Sequence, residues 1–163
     1  MFNYQFVKNN SRFLLFGFIL TFCSSFGQTF FIGIFNPYLR EDLSLSHSEF
    51  GLIYSLATLL SSFSLIWIGK KIDDFKIIYF AIAACLFLAF SSFFLTLVSN
   101  IILLFFAIYF LRLSGQGLMT HTSSTSMAKF FDLNRGKALS ISWLGLSLGE
   151  GFLPYLIIFL MKF

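Results

Sequence analysis

Five long apolar runs, separated by short polar stretches, organise the whole chain. They cover about 13–39, 49–69, 76–98, 101–128 and 137–160. Each is roughly 20 residues or longer, the length that carries an α-helix across ~30 Å of hydrocarbon. Barrel strands alternate over only ~10 residues, so the pattern predicts helices. Local signals mark the ends. Ser46 with Glu49 has the spacing of a capping box and opens the second helix. Ser99 and Asn100 supply a turn and an N-cap for the fourth. Asn36-Pro37 falls near the end of the first run, where a proline stops or bends a helix. The links are short, so successive helices should be antiparallel neighbours in a single bundle, residues 1–163 forming one polytopic transmembrane domain with no separate soluble part. The first run is too long for the 7–15-residue apolar core of a cleavable leader and is expected to stay in the membrane.

Composition agrees. Of 163 residues, 58% are hydrophobic and 11% charged, with a mean hydropathy of +0.86, whereas soluble domains carry about 25% charged residues. The 26 phenylalanines suit a lipid-facing surface and an A/T-rich coding bias better than a cofactor pocket. The net charge of +4 forms no continuous patch, which argues against a nucleic-acid partner. Instead it sorts by side. Lys8, Arg12, Lys70, Lys71, Lys76, Lys129, Arg135 and Lys137 fall on one side, and only Arg40 and Lys162 on the other. The positive-inside rule then puts the N-terminus in the cytoplasm and, with five spans, the C-terminus outside, in a plasma membrane of bacterial inner-membrane type. Cys23 and Cys85 match no metal or redox spacing. No metal cluster, nucleophile–base pair or nucleotide loop appears, so neither an enzyme nor a cofactor is expected.

Five polar or glycine-rich clusters interrupt the apolar pattern. Gly69-Lys70-Lys71-Ile72-Asp73-Asp74 forms a charged hairpin between the second and third spans. Arg112-Leu113-Ser114-Gly115-Gln116-Gly117 places a cation about a dozen residues into the fourth span, ~18 Å at 1.5 Å per residue. A charge at that depth costs at least ~2.5–3.5 kcal/mol and normally faces a partner or a watery cavity. Gln116, one turn on, shares its face. Arg135-Gly136-Lys137-Ala138 leads into the fifth span. There Gly145 and Gly149 form a small-xxx-small face that admits close helix approach. Glu150 is the acidic residue at depth, open to two readings: an ion pair with Arg112, or a proton-carrying site. Pro154 is expected to bend the fifth helix. In the first span Ser24, Ser25, Gln28 and Thr29 make a polar patch suited either to a solute or to helix linkage.

Taken in order, the Gly69-x-x-x-Asp73 loop, the arginine-plus-glycine fourth helix, the Arg135-Gly136-x-Ala138 loop and the glycine–proline fifth helix resemble the major facilitator superfamily. That resemblance covers essentially the whole chain. It implies an all-α helix bundle supplying helices one to five of the first of two six-helix halves, between which a solute binds while the halves rock. It implies a gating role for Gly69 and Asp73 and packing roles for Gly115, Gly117, Arg135, Gly136, Gly145, Gly149 and Pro154; with the residue readings above, the candidates for a substrate cavity are Gln28, Arg112, Gln116 and Glu150. The expected partners are lipid, a small solute (anionic, on the evidence of Arg112), coupled protons, and the missing helices on a longer or second chain. An incomplete or split reading frame is the expected reason for their absence. The competing expectation is a small membrane protein, partner subunit or remnant without transport activity.

Overall fold

The computed structural model describes residues 4–162. Among them the chain is all-helical, with five helical segments long and apolar enough to cross a membrane: Ser11–Asp42, His47–Asp73, Ile77–Leu95, Ile101–Phe130 and Arg135–Leu160. They are referred to below as spans 1 to 5.

A short helix, α1 (Tyr4–Asn9), precedes them. Phe6 of α1 meets the Phe131 ring edge-on at 5.4 Å, so α1 lies under the end of the bundle that carries Lys129. Span 1 consists of α2 (Ser11–Ser24), a single 3₁₀ turn (Ser25–Gly27) and α3 (Thr29–Asp42), with Gln28 extended between them at φ −84° and ψ 158°. The interruption therefore lies near the middle of the span and not at Asn36-Pro37. Pro37 sits inside α3, which runs on to Asp42. The proline removes one ladder hydrogen bond, to the Gly33 carbonyl, and the helix continues past it.

What stops α3 is a Schellman motif. Ser44 takes a left-handed conformation (φ 53°), and the N–H groups of Ser44 and Leu45 donate to Glu41 O at 3.2 Å and Arg40 O at 2.8 Å. Leu45 is buried against Leu39 and Leu43, the apolar contact that accompanies this cap. Ser46 follows at once as N-cap of α4 (His47–Lys70), with both arms of the capping box made to Glu49. The adjoining end of span 4 is capped by Asn100, whose Oδ1 accepts from Leu103 N at 2.9 Å. A 3₁₀ turn (Lys71–Asp73) closes span 2, and the buried Ile72 pins it to the bundle. Span 3 is α5 (Ile77–Leu95) and span 5 is α8 (Arg135–Leu160), which runs unbroken through Pro154.

Span 4 is the hub. It contains α6 (Ile101–Leu111), a π-helical segment (Arg112–Met119) and α7 (Thr120–Phe130), and it packs on spans 1, 2, 3 and 5. Within its most apolar stretch 56% of residues are buried, against 17% for spans 2 and 5. That position explains how the polar sequence of α7 sits within a bundle. Its hydroxyls turn back onto helix carbonyls, Thr122 to Leu118 O and Ser126 to Thr122 O, both at 2.6 Å. Ser123 reaches across instead, bonding Gly17 O at 2.9 Å and Ser142 Oγ at 2.6 Å, while Thr21 donates to Ser142 O at 2.5 Å. These bonds tie spans 1, 4 and 5 without a charged group. The outer faces of spans 2, 3 and 5 remain apolar and exposed, as in Leu52, Trp67, Leu86 and Tyr155.

Candidate functional site

The site grows from two irregular stretches of backbone laid against each other. A Cβ placed on Gly115 would lie 2.7 Å from both Cα and N of Gly27, and one placed on Gly27 would run into the Leu111 carbonyl. Only two glycines permit this approach, and it joins the break in span 1 to the π segment of span 4. Because Gln28 is extended, the Gly27 carbonyl has lost its place in a helix ladder and needs a donor in a medium that offers none. Arg112 supplies it.

Arg112 is only 6% exposed. Its Nη1 donates to Gly27 O at 3.3 Å and to Thr29 Oγ1 at 3.2 Å. Tyr54 of span 2 donates to the same Thr29 oxygen at 2.9 Å, and its ring lies under the guanidinium, 5.4 Å from Cζ to ring centroid. Nε is buried and finds no partner. The ion pairs among the described residues are Lys71–Asp74, Lys129–Asp73 and Arg135–Asp132. Neither Arg112 nor Glu150 takes part in one, so the geometry does not support the ion-pair reading of Glu150.

Two small cavities flank this arrangement. One, of about 150 Å³, is lined by Arg112 and Gln116 together with Thr58, Ser61, Ser62, Leu65 and Gly117. The other, of about 380 Å³, is lined by Gln28, Thr29, Phe30, Leu146 and Glu150. Thr29 joins them, since it bonds Arg112 and forms part of the second wall. The four residues singled out for a cavity thus fall in pairs, Arg112 with Gln116 and Gln28 with Glu150. A larger space of about 740 Å³ between spans 1 and 3 is mainly apolar, walled by residues such as Phe31, Phe35, Leu88 and Leu95. Tyr38, Asp42, Ser92 and Thr96 are the polar side chains on its wall.

The remaining motif residues lie elsewhere. Gly69 is buried at the end of α4, where its carbonyl contacts His121 Nε2 at 3.0 Å. Asp73 accepts from Lys129 Nζ at 2.7 Å. The loop between spans 2 and 3 is therefore tied to α7 by two contacts, around a cavity of about 370 Å³ that also holds Lys70, Ile72 and Thr125. Gly117 faces Leu65. Gly145 and Gly149 press on span 1, where added Cβ atoms would collide with Phe18 O and Ser25 Oγ. Arg135 pairs locally with Asp132 at 3.3 Å, and Gly136 stands in open space.

Sequence reasoning passed over Tyr54 and the Thr58, Ser61, Ser62 group. Their signal was a run of hydroxyls on an otherwise apolar span 2, at i, i+3 and i+4 spacing from Thr58. It also passed over Lys129 as the partner of Asp73, because the two lie far apart in sequence.

No curated protein and no solved structure matches the chain. A family model described as Major Facilitator Superfamily matches residues 17–163, from within α2 through all five spans. On that match the chain belongs to the Major Facilitator Superfamily, a family of membrane transporters.

Proposed function

We propose that the chain forms part of the solute path of a secondary transporter for a small anionic solute, with Arg112 as the charge that holds it. Membership of a transporter family sets the general activity. The observation that favours an anion is a buried guanidinium with unused donor capacity, no carboxylate partner among the described residues, and a place on a cavity wall. Glu150, exposed on the neighbouring cavity with Gln28, is the group best placed to carry a coupled proton. In this reading the five spans make up most of one six-helix half, and the facing helices come from a longer or second chain. The sorting of basic residues supports a cytoplasmic N-terminus in a bacterial-type inner membrane. The loop bearing Gly69 and Asp73 then lies on the cytoplasmic side as a gate.

The test is uptake of labelled small anions into proteoliposomes holding this chain with the helices that complete it. Arg112→Ala should lower uptake about 10- to 150-fold, the equivalent of losing hydrogen bonds to a charged group worth ~1.5–3 kcal/mol. Arg112→Lys keeps the charge but loses the planar fork and should fall between. Unchanged uptake in Arg112→Ala would overturn the assignment and favour a non-transporting partner protein.

A further inference from the structure

Span 3 presents two faces that differ in kind. One carries Ile82, Leu86, Phe90, Phe93 and Leu97, large exposed apolar side chains of the sort that meets lipid. The other lines the 740 Å³ groove beside span 1 and carries Cys85, Ala89, Ser92 and Thr96. Ser92 is half-buried and the other three are exposed, so the groove is open to a partner. Ser92 and Thr96 donate back to Leu88 O at 2.9 Å and Phe93 O at 2.7 Å. Neither hydroxyl is therefore left bare when an apolar surface covers it. The opposite wall is a ridge of Phe31, Phe35 and Tyr38 on one face of α3, which ends at Asp42. From Cys85 to Thr96 the groove runs ~16 Å along α5, about three helical turns. A second helix can approach small side chains closely there, and such packing joins helices where lipid supplies no hydrophobic drive.

The mouth of the groove carries a charge that narrows the choice of partner. Asp42 is exposed there and enters no ion pair among the described residues. The basic residues at the same end of the bundle are Arg40 and Lys162. Arg40 Nε is spent on Asn36 Oδ1 at 2.8 Å. Lys162, just past the end of α8, is exposed and takes no ion pair among the described residues. The helix that leads to it also has the matching surface. Leu148, Phe152 and Tyr155 share one face of α8 with Lys162 and are 53%, 54% and 78% exposed. Spans 3 and 5 run in the same sense across the bundle. Setting Lys162 level with Thr96 brings Tyr155 level with Ala89, seven residues back on each helix, and Phe152 beside Cys85. Both surfaces are open within a single chain, so another copy is what brings them together.

We infer that the groove between spans 1 and 3 takes span 5 of a second copy of this chain, with Asp42 pairing with Lys162 of that copy. Span 5 packs directly on span 1, so ridge and groove lie side by side on the bundle. Two copies related by a two-fold axis along the membrane normal bury both contacts at once, which closes the dimer. The large side chains of one copy fill the space over the small ones of the other. The inference is independent of the anionic reading, since none of these residues lines the cavities that hold Arg112 and Glu150.

The test is the oligomeric state of the full chain in liposomes, read by energy transfer between donor- and acceptor-labelled populations as lipid is added. Wild type should show transfer that falls with dilution to a monomer plateau. Ala89→Trp fills the groove from an exposed position and should weaken association about tenfold or more. Asp42→Lys should weaken it about fivefold, the combined worth of two exposed pairs, and adding Lys162→Asp should restore it. In a Cys23→Ala background, a short bis-maleimide should join Cys85 to Phe152→Cys of the other copy. It should not join Cys85 to Trp67→Cys, on the outer face of span 2. Circular dichroism confirms that each variant is folded. A monomer at every dilution overturns the inference, and is the result expected of a groove filled by lipid or by a helix of another protein. Wild-type association in Ala89→Trp or in Asp42→Lys overturns it as well. Linking through Trp67→Cys in place of Phe152→Cys puts the contact elsewhere and has the same consequence.

Discussion

Replacing Gly115 with alanine attacks the contact on which the site is built. The new Cβ would lie 2.7 Å from Gly27 Cα and Gly27 N, about 0.7 Å inside the 3.4 Å at which ordinary contact begins. Both obstructing atoms are backbone, so no side chain can swing aside. Spans 1 and 4 must separate by a comparable distance. A shift of 0.5–1 Å forfeits roughly a quarter to a half of the dispersion energy along the affected seam. Overpacking of this kind costs about 1–3 kcal/mol. It also threatens the Arg112–Gly27 bond, which at 3.3 Å has little length to spare. Gly51 provides the control. It lies in α4 with nothing within 4 Å of an added Cβ, so Gly51→Ala should gain up to about 1 kcal/mol of helix propensity. Equilibrium unfolding of the purified chain in mixed micelles, followed by circular dichroism, reads both. The two variants should move the midpoint in opposite directions. A Gly115→Ala protein as stable as wild type would refute the claim that these glycines set the separation of spans 1 and 4.

Two further outcomes test other parts of the bundle. Ser123→Ala removes the bond to Gly17 O and one partner of Ser142. It should cost about 0.6 kcal/mol and not more than ~1.7, the measured range for interhelical hydrogen bonds in a membrane, read from the same unfolding curves. Asp73→Lys breaks the largely exposed contact with Lys129. It should speed amide exchange in the Lys71–Asp73 turn without moving the unfolding midpoint, and adding Lys129→Asp should restore slow exchange. A shifted midpoint in the single variant would show that this pair holds the bundle and not merely the loop.

The spans and their caps were legible because each rests on local chemistry. Twenty apolar residues predict a crossing wherever they occur, and Ser46 with Glu49, or Asn100 before Ile101, predicts a helix start without reference to any other part of the chain. The interruption of span 1 was not legible, because nothing within Ser25–Gly27 dictates it. The extended Gln28 and the π segment are each unfavourable alone. They become acceptable where Gly27 and Gly115 bring two backbones together and Arg112 bonds the orphaned carbonyl. Pro37 misled for the same reason. The stop signal of α3 was Ser44 and the apolar contact of Leu45, which depend on Leu39 lying one turn back on a buried face. For Glu150, depth along the fifth span was readable, but its place on a cavity with Gln28 and Thr29 depends on how span 1 packs against span 5 and was not.

Why the irregular backbone and the buried charge share one place follows from the enclosure of span 4. Backbone that departs from the α-helical ladder is tolerated at membrane depth only where protein or a cavity shields it from hydrocarbon. Spans 2, 3 and 5 present broad apolar faces outward and cannot host such a stretch on those faces. Span 4 touches all four others, so its π segment is surrounded by partners. The same enclosure lets Arg112 exchange hydration for Gly27 O, Thr29 Oγ1 and the face of Tyr54, groups drawn from spans 1 and 2. Two of these contacts, Gly27 and Thr29, stand on either side of the extended Gln28. One side chain therefore braces both ends of the break in span 1 and at the same time forms the wall of the cavity toward span 2.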